Sequence, residues 1–223
     1  MDRFETFTEQ WIPIIGKSLG ETFQMVSISL VLSVLVGTGL GILLVLTRSG
    51  QPLENKWTYH GLNLLINIIR SVPFIILLFF ILPFTKWVAG TTIGVKGVIV
   101  PLVIYTAPYI SRLVETALLE MDHGVIEAYQ AMGIKKRHII WNVMLRESRS
   151  SLVLGLTIAT VSLIGATAMA GLVGAGGLGD LAYRFGHLRY EVDVMYATVF
   201  ILIVIVQSIQ TIGNKLATQL KKD

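Results

Sequence analysis

Three glycines of the chain, Gly174, Gly176 and Gly179, match the G-x-G-x-x-G pattern of dinucleotide-binding sites. That pattern binds a pyrophosphate only where it joins a strand to a helix. Here the preceding residues read TIATVSLIGATAMAGLV, an apolar run long enough to cross a bilayer. We therefore predict that the glycines form a loop after a membrane span and bind no nucleotide.

The rest of the sequence predicts no catalytic residue, no metal site and no bound cofactor. The G-x-x-x-x-G-K-[ST] loop that cradles ATP phosphates is missing, so we expect ATP to bind elsewhere. Neither the G-x-S-x-G nucleophile motif nor a cysteine occurs. The histidines show no metal-ligand spacing; they are His60, His123, His138 and His187.

Composition predicts an all-α integral membrane protein with one domain over residues 1–223. Of these residues 53% are hydrophobic and 14% are charged, whereas a globular domain carries about 25% charged residues. The net charge of +4 does not predict nucleic-acid binding, because the basic residues lie in short loops and form no continuous stripe. Five apolar runs are each long enough to cross the bilayer as a helix, at about 20–47, 62–83, 97–113, 152–173 and 194–212.

The distribution of Lys and Arg predicts the orientation of these spans. Apart from Arg70, which lies inside the second run, eleven basic residues fall on one side and six on the other. The positive-inside rule places the side with eleven in the cytoplasm, so the N-terminus is outside and the C-terminus inside. Before the first span, the aromatic residues Phe4, Phe7 and Trp11 share one helical face, which favours a helix lying in the membrane interface over a disordered tail.

A cytoplasmic loop at about 114–151 is far longer than a helix connection requires. Asp122 can cap a short helix that runs to Met132, and Gly133 can end that helix in a left-handed conformation. A second helix follows at about 138–147. Both helices have apolar faces and no core of their own, so we expect them to pack on another surface.

The segment EAYQAMGIKKRHIIWNVMLRES resembles the loop signature of permease subunits of bacterial ATP-binding cassette importers. Tyr129 and Arg146 depart from that signature, where the family has Ala and Pro; the matching positions are Glu127, Ala128, Gly133, Ile139 and Leu145. The resemblance implies that the short helix docks on an ATPase subunit and transmits its closure. The predicted coupling residues are Ile126, Glu127, Ala128, Tyr129, Met132 and Gly133. The alternative is a loop packed on the protein's own membrane core.

Nearly the whole chain is similar to methionine-uptake permeases, notably in RSVPFIILLFFILPF, TAPYISRLVETALLE and AMAGLVGAGGLGDLAYRFG. The likeness implies a type I importer permease fold and a homodimer with one pore at the two-fold axis. It also implies two ATPase subunits that bind ATP and Mg, an extracytoplasmic binding (lipo)protein, and a place in the bacterial plasma membrane. The competing interpretation is a secondary transporter or channel without an ATPase partner.

Small residues of the fourth span permit close packing or a passage. By resemblance this helix lines the two-fold axis, which makes Met169 and Ala166 candidate pore residues; ordinary packing is the alternative for Met169. Arg70 either reaches the cytoplasmic surface or lines the pore. Gly37 and Gly41 form a G-x-x-x-G face, for which we expect close helix packing within the subunit.

Overall fold

The computed structural model describes residues 3–51, 53–119, 129, 132–134 and 145–222. Helices dominate these residues and no strand occurs among them, as predicted. The helices are α1 (Arg3–Thr47), α2 (Lys56–Ser71), α3 (Phe74–Phe80), α4 (Leu82–Ala89), α5 (Gly94–Leu119), α6 (Leu145–Glu147), α7 (Arg149–Ala170), α8 (Gly177–Leu181) and α9 (Val192–Lys222). Four described helices are long and apolar enough to cross a membrane, and α2 with α3 makes a fifth span if this bent pair is taken as one.

The first helix differs from its predicted form. It is one helix of 45 residues, Arg3–Thr47, rather than an interfacial helix followed by a span from Gly20. At 1.5 Å per residue it is roughly 68 Å long, about twice the hydrocarbon thickness of a bilayer. Trp11 is buried against Leu178, Leu181 and Val194. This aromatic side chain therefore packs on the chain itself, which explains why the residues before Gly20 continue the helix.

The second predicted span, 62–83, is not one continuous helix. Helix α2 begins earlier, at Lys56, and ends at Ser71, and α3 begins only at Phe74. Pro73 has an extended backbone with φ −57° and ψ 140°. The pair Ser71 and Pro73 in the sequence predicts a bend or a loosened helix at this point. Because proline lacks an amide donor and disfavours a helical conformation for the residue before it, the helix stops there. Arg70 lies exposed in the last turn of α2.

The remaining spans agree with prediction at their centres. Helix α7 and the 3-10 turn Gly171–Val173 match the predicted span 152–173 closely. Helix α9 extends the predicted span 194–212 at both ends, mainly beyond residue 212. Helix α5 begins at Gly94 and continues to Leu119, so the first residues of the predicted loop are helical. Its extra length places Glu115 inside the helix, close to Arg112.

The described residues divide into two compact units. The first comprises Met1–Leu32, Val72–Tyr105 and Thr160–Ile209, and its core is built from Met25, Phe74, Leu78, Val98, Leu102, Leu163, Ala166, Ala170 and Ala175. The second comprises Ser33–Ser71, Thr106–Ala159 and Gln210–Asp223. In this second unit, Gly37 and Gly41 let α1 approach the backbone of α5, which confirms the predicted close packing within the subunit.

Candidate functional site

Gly133 has the left-handed conformation that the sequence predicts for it. Gly133 has φ +75°, the left-handed conformation that glycine adopts without steric cost. The amide of Ile134 donates a hydrogen bond to the carbonyl oxygen of Tyr129 over 3.2 Å, the bond that closes a glycine-terminated helix in the Schellman motif. A left-handed turn therefore connects Tyr129 to Ile134.

Two apolar side chains of the predicted coupling residues are described. Met132 is 65% exposed, and Tyr129 is half-buried. The other predicted coupling residues, Ile126, Glu127 and Ala128, lie outside the described residues, as do Asp122 and most of the predicted second helix. An exposed methionine beside a tight turn presents a flexible apolar surface that a partner can cover.

The helices that flank the predicted coupling loop are joined by hydrogen bonds within the second unit. Ser148, at the start of α7, donates from its buried Oγ to the carbonyl oxygen of Ala117 in α5 over 2.8 Å. Ser150 donates from Oγ to the carbonyl oxygen of Ala217 in α9 over 2.8 Å. The helix that enters the predicted coupling loop and the helix that leaves it are therefore tied together.

A polar cluster that sequence reasoning missed joins α5 to α2. Arg112 donates from Nη1 to the carboxylate of Glu115 over 2.5 Å, and this carboxylate is buried. The other terminal nitrogen of Arg112 donates to the side-chain oxygens of Asn63 and Asn67, the latter over 2.9 Å. Arg and Glu three apart and Asn residues four apart each share a helix face. That spacing was the available signal, although it could not show that the two faces meet.

The pore candidates differ in where their side chains lie. Met169 is 49% exposed, and Gly165 and Ser162 lie exposed one and two turns earlier on the same face of α7. Ala166 is only 3% exposed and belongs to the core of the first unit. Its methyl group faces the chain's own core, so of the two pore candidates in the fourth span only Met169 has an exposed side chain.

The glycine-rich segment has a packing role. Gly174, Gly176 and Gly177 all have positive φ, and the amide of Gly177 donates to the Glu21 carboxylate over 2.8 Å. A Cβ at Gly179, inside α8, would lie 2.3 Å from the Ala168 carbonyl oxygen. As predicted, the motif follows the fourth span, and no strand precedes it in the described stretch from residue 145 onward. The glycines allow the backbone to approach α1 and α7.

A cavity of about 690 Å³ lies between this segment and α1. Its charged lining residues are already paired. Lys17 lies 3.9 Å from Glu21, and Arg184 is hydrogen-bonded to the buried carboxylate of Asp180. These charges therefore balance one another within the chain.

Together, the long apolar helices define the class of multi-helix membrane proteins. A family model described as "Binding-protein-dependent transport system inner membrane component" matches residues 37–222, and the chain belongs to that family. It is therefore a multi-pass membrane protein.

Individual relatives are similar over most of their length. The "Probable D-methionine transport system permease protein MetI" of Vibrio cholerae serotype O1 is 44% identical over 196 residues, which are 88% of this chain and 87% of that protein. The "Methionine import system permease protein MetP" of Bacillus subtilis strain 168 is 46% identical over 181 residues, 81% of each chain.

Solved structures share the type I importer permease fold. A chain of the "MetNI methionine ABC transporter" in an inward-facing conformation superposes with a TM-score of 0.91 at 39% identity, covering 95% of this chain and 98% of that one. A chain of "an amino acid ABC transporter with histidines" has a TM-score of 0.73 at 16% identity, over 100% of this chain and 98% of that one. That second likeness concerns the fold alone.

Proposed function

We propose that this chain is the membrane permease of an ATP-driven importer that moves methionine into the cytoplasm. The observation that carries the proposal is the similarity to the MetNI permease chain, with a TM-score of 0.91 at 39% identity. Two relatives with methionine-transport names, at 44% and 46% identity, support the same substrate.

In this proposal two copies of the chain form the pore, and ATP and Mg bind to two separate cytoplasmic ATPase subunits. An extracytoplasmic binding protein delivers methionine. The chain itself performs no covalent chemistry; its work is a change of helix positions driven by the ATPase. The positive-inside count supports an outside N-terminus and a cytoplasmic coupling segment.

The predicted coupling segment, residues 126–133, supplies the contact through which the ATPase would move the helices. Docking on an ATPase would cover the exposed Met132, and fully burying a side chain of that size contributes about 1.5 to 3 kcal/mol. The turn at Gly133 sets the direction in which the chain leaves the docked helix. Because Ser148 ties α7 to α5, a displacement of the segment acts on both helices together.

A secondary transporter is the second candidate, and one observation favours it. Arg112 and the buried Glu115 form an ion pair within α5, a helix apolar enough to span the membrane. Paired charges inside spans often mark substrate or ion pathways and proton relays, which an ion-driven transporter would use. An experiment on the proposed function therefore needs an ion-gradient arm.

The test is uptake of radiolabelled methionine into proteoliposomes that contain the permease with its co-expressed ATPase and binding protein. We expect uptake with ATP and Mg, and none with a non-hydrolysable ATP analogue. Matched vesicles contain the permease alone under a proton or sodium gradient. Uptake in those vesicles would assign the chain to the secondary transporters, and ATP-driven uptake of histidine in place of methionine would correct the substrate.

A further inference from the structure

The Arg112 guanidinium is shared between two helices of the second unit. On α5 it is paired with Glu115, and on α2 it is hydrogen-bonded to Asn63 and Asn67. We propose that Arg112 is a positioning residue that makes α2 move with α5 when the coupling segment is displaced. This inference rests on the proposed function, because the displacement is the one that ATP hydrolysis would produce.

Helix α2 presents two hydrogen-bond acceptors to the guanidinium. Asn63 and Asn67 are four residues apart, so their side chains lie on the same face of the helix. Asn67 donates from Nδ2 to Oδ1 of Asn63 over 3.2 Å, which holds the two amides side by side. Both amide oxygens can therefore accept from the same guanidinium, whose planar fork of donors is suited to such recognition.

Burial on the α5 side makes the arrangement costly to take apart. Side-chain exposure is 20% for Arg112 and 7% for Glu115. If the Arg112 guanidinium stayed with the two asparagines while α2 moved away, the buried carboxylate of Glu115 would lose its counter-charge. If the guanidinium stayed beside Glu115 instead, it would lose both amide acceptors. Either separation is opposed, so α2 and α5 should remain joined while they move.

The position of the cluster suits transmission from the coupling segment. Helix α5 runs from Arg112 to Leu119 without a break, and the predicted coupling residues begin at Ile126. On α2, Ser71 donates from Oγ to the carbonyl oxygen of Asn67 over 2.7 Å, and the helix ends at this serine. Movement passed through Arg112 therefore reaches the last turn of α2, directly before the Pro73 break.

The test removes the hydrogen bonds between Arg112 and α2 without disturbing the ion pair within α5. The double variant N63A/N67A removes both acceptors on α2 and leaves the pair of Arg112 with Glu115 intact. His60→Ala, at an exposed position of the same helix, is the matched control. The variant N63A/N67D, which has one acceptor for the guanidinium on α2, should recover the behaviour of the wild type. If the double variant fails to fold, Asn63→Ala and Asn67→Ala are used singly, each leaving one acceptor.

Two readouts are measured in proteoliposomes with the ATPase bound. The first is the number of ATP molecules hydrolysed per methionine imported. The second is a spin-label distance between Thr58→Cys on α2 and Thr116→Cys on α5, both exposed positions in a chain without cysteine. Hydrogen bonds to a charged group are strong enough that losing them should shift the joined state by about tenfold or more.

We expect one distance in all nucleotide states of the wild type and a second distance in N63A/N67A, with severalfold more ATP used per methionine. A folded double variant with the wild-type ratio and a single distance would reduce the cluster to a packing contact. Failure of the wild type to import with ATP would instead sink the proposed function, and the distance readout would still decide whether the two helices stay joined.

Discussion

Gly37 lies so close to Ala107 that a Cβ added to the glycine would come within 2.7 Å of the alanine carbonyl oxygen. One turn later, a Cβ at Gly41 would lie 2.6 Å from the Ser111 carbonyl oxygen. Helices α1 and α5 of the second unit therefore meet backbone to backbone at these two glycines.

We expect Gly37→Ala and Gly41→Ala each to destabilise the protein by about 1 to 3 kcal/mol, because the added methyl groups overpack a closed contact. Thermal unfolding in detergent measures the effect. Gly39→Ala is the matched control, since nothing lies within 4 Å of its added Cβ. At Gly39 the helix propensity of alanine should leave stability unchanged or raise it by up to about 1 kcal/mol. Equal unfolding temperatures for all three variants would show that α1 and α5 do not pack this closely.

Met169 and Ala166 distinguish the exposed face of α7 from its buried face. If two copies meet at this helix, Met169→Cys should cross-link between subunits in the resting state, and the yield should fall when nucleotide is trapped. Ala166→Cys should not cross-link, because residue 166 lies in the core of its own subunit. Gel mobility after mild oxidation measures both. Cross-linking at residue 166 but not at 169 would contradict the observed burial.

A substitution at Gly133 should change the backbone conformation of the turn without a steric clash of the new side chain. Nothing lies within 4 Å of a Cβ built at this glycine, so a substitution acts only through φ. Gly133→Val should therefore abolish stimulation of the ATPase by the loaded binding protein, while membrane insertion survives. Gly133→Asn should keep most of the stimulation, because asparagine tolerates the left-handed region. ATP hydrolysis in proteoliposomes is the measurement, and equal stimulation in both variants would remove the turn from the coupling mechanism.

The orientation predicted from basic residues can be measured with single cysteines in the naturally cysteine-free chain. Arg146 and Lys86 are both exposed and lie on opposite sides in the prediction. A membrane-impermeant thiol reagent applied to intact cells should label Lys86→Cys and spare Arg146→Cys. The reverse pattern would invert the topology and place the coupling segment outside the cell.

Local patterns in the sequence predicted much of the fold. Hydropathy located α5, α7 and α9, because membrane spans must be long and apolar whatever they pack against. Pro73 and Gly133 were equally predictable, since a missing amide donor and a left-handed turn are properties of single residues. The G-x-x-x-G spacing likewise predicted the packing role of Gly37 and Gly41.

Only the tertiary structure decided which surfaces meet. The continuation of α1 before Gly20 depends on the burial of Trp11 against Leu178, Leu181 and Val194, far along the chain. The burial of Ala166 and the joining of Arg112 to Asn63, 49 residues earlier, depend on long-range contacts in the same way. A helical period assigns a side chain to a face of its helix, whereas the partner of that face is set by how all the helices pack together.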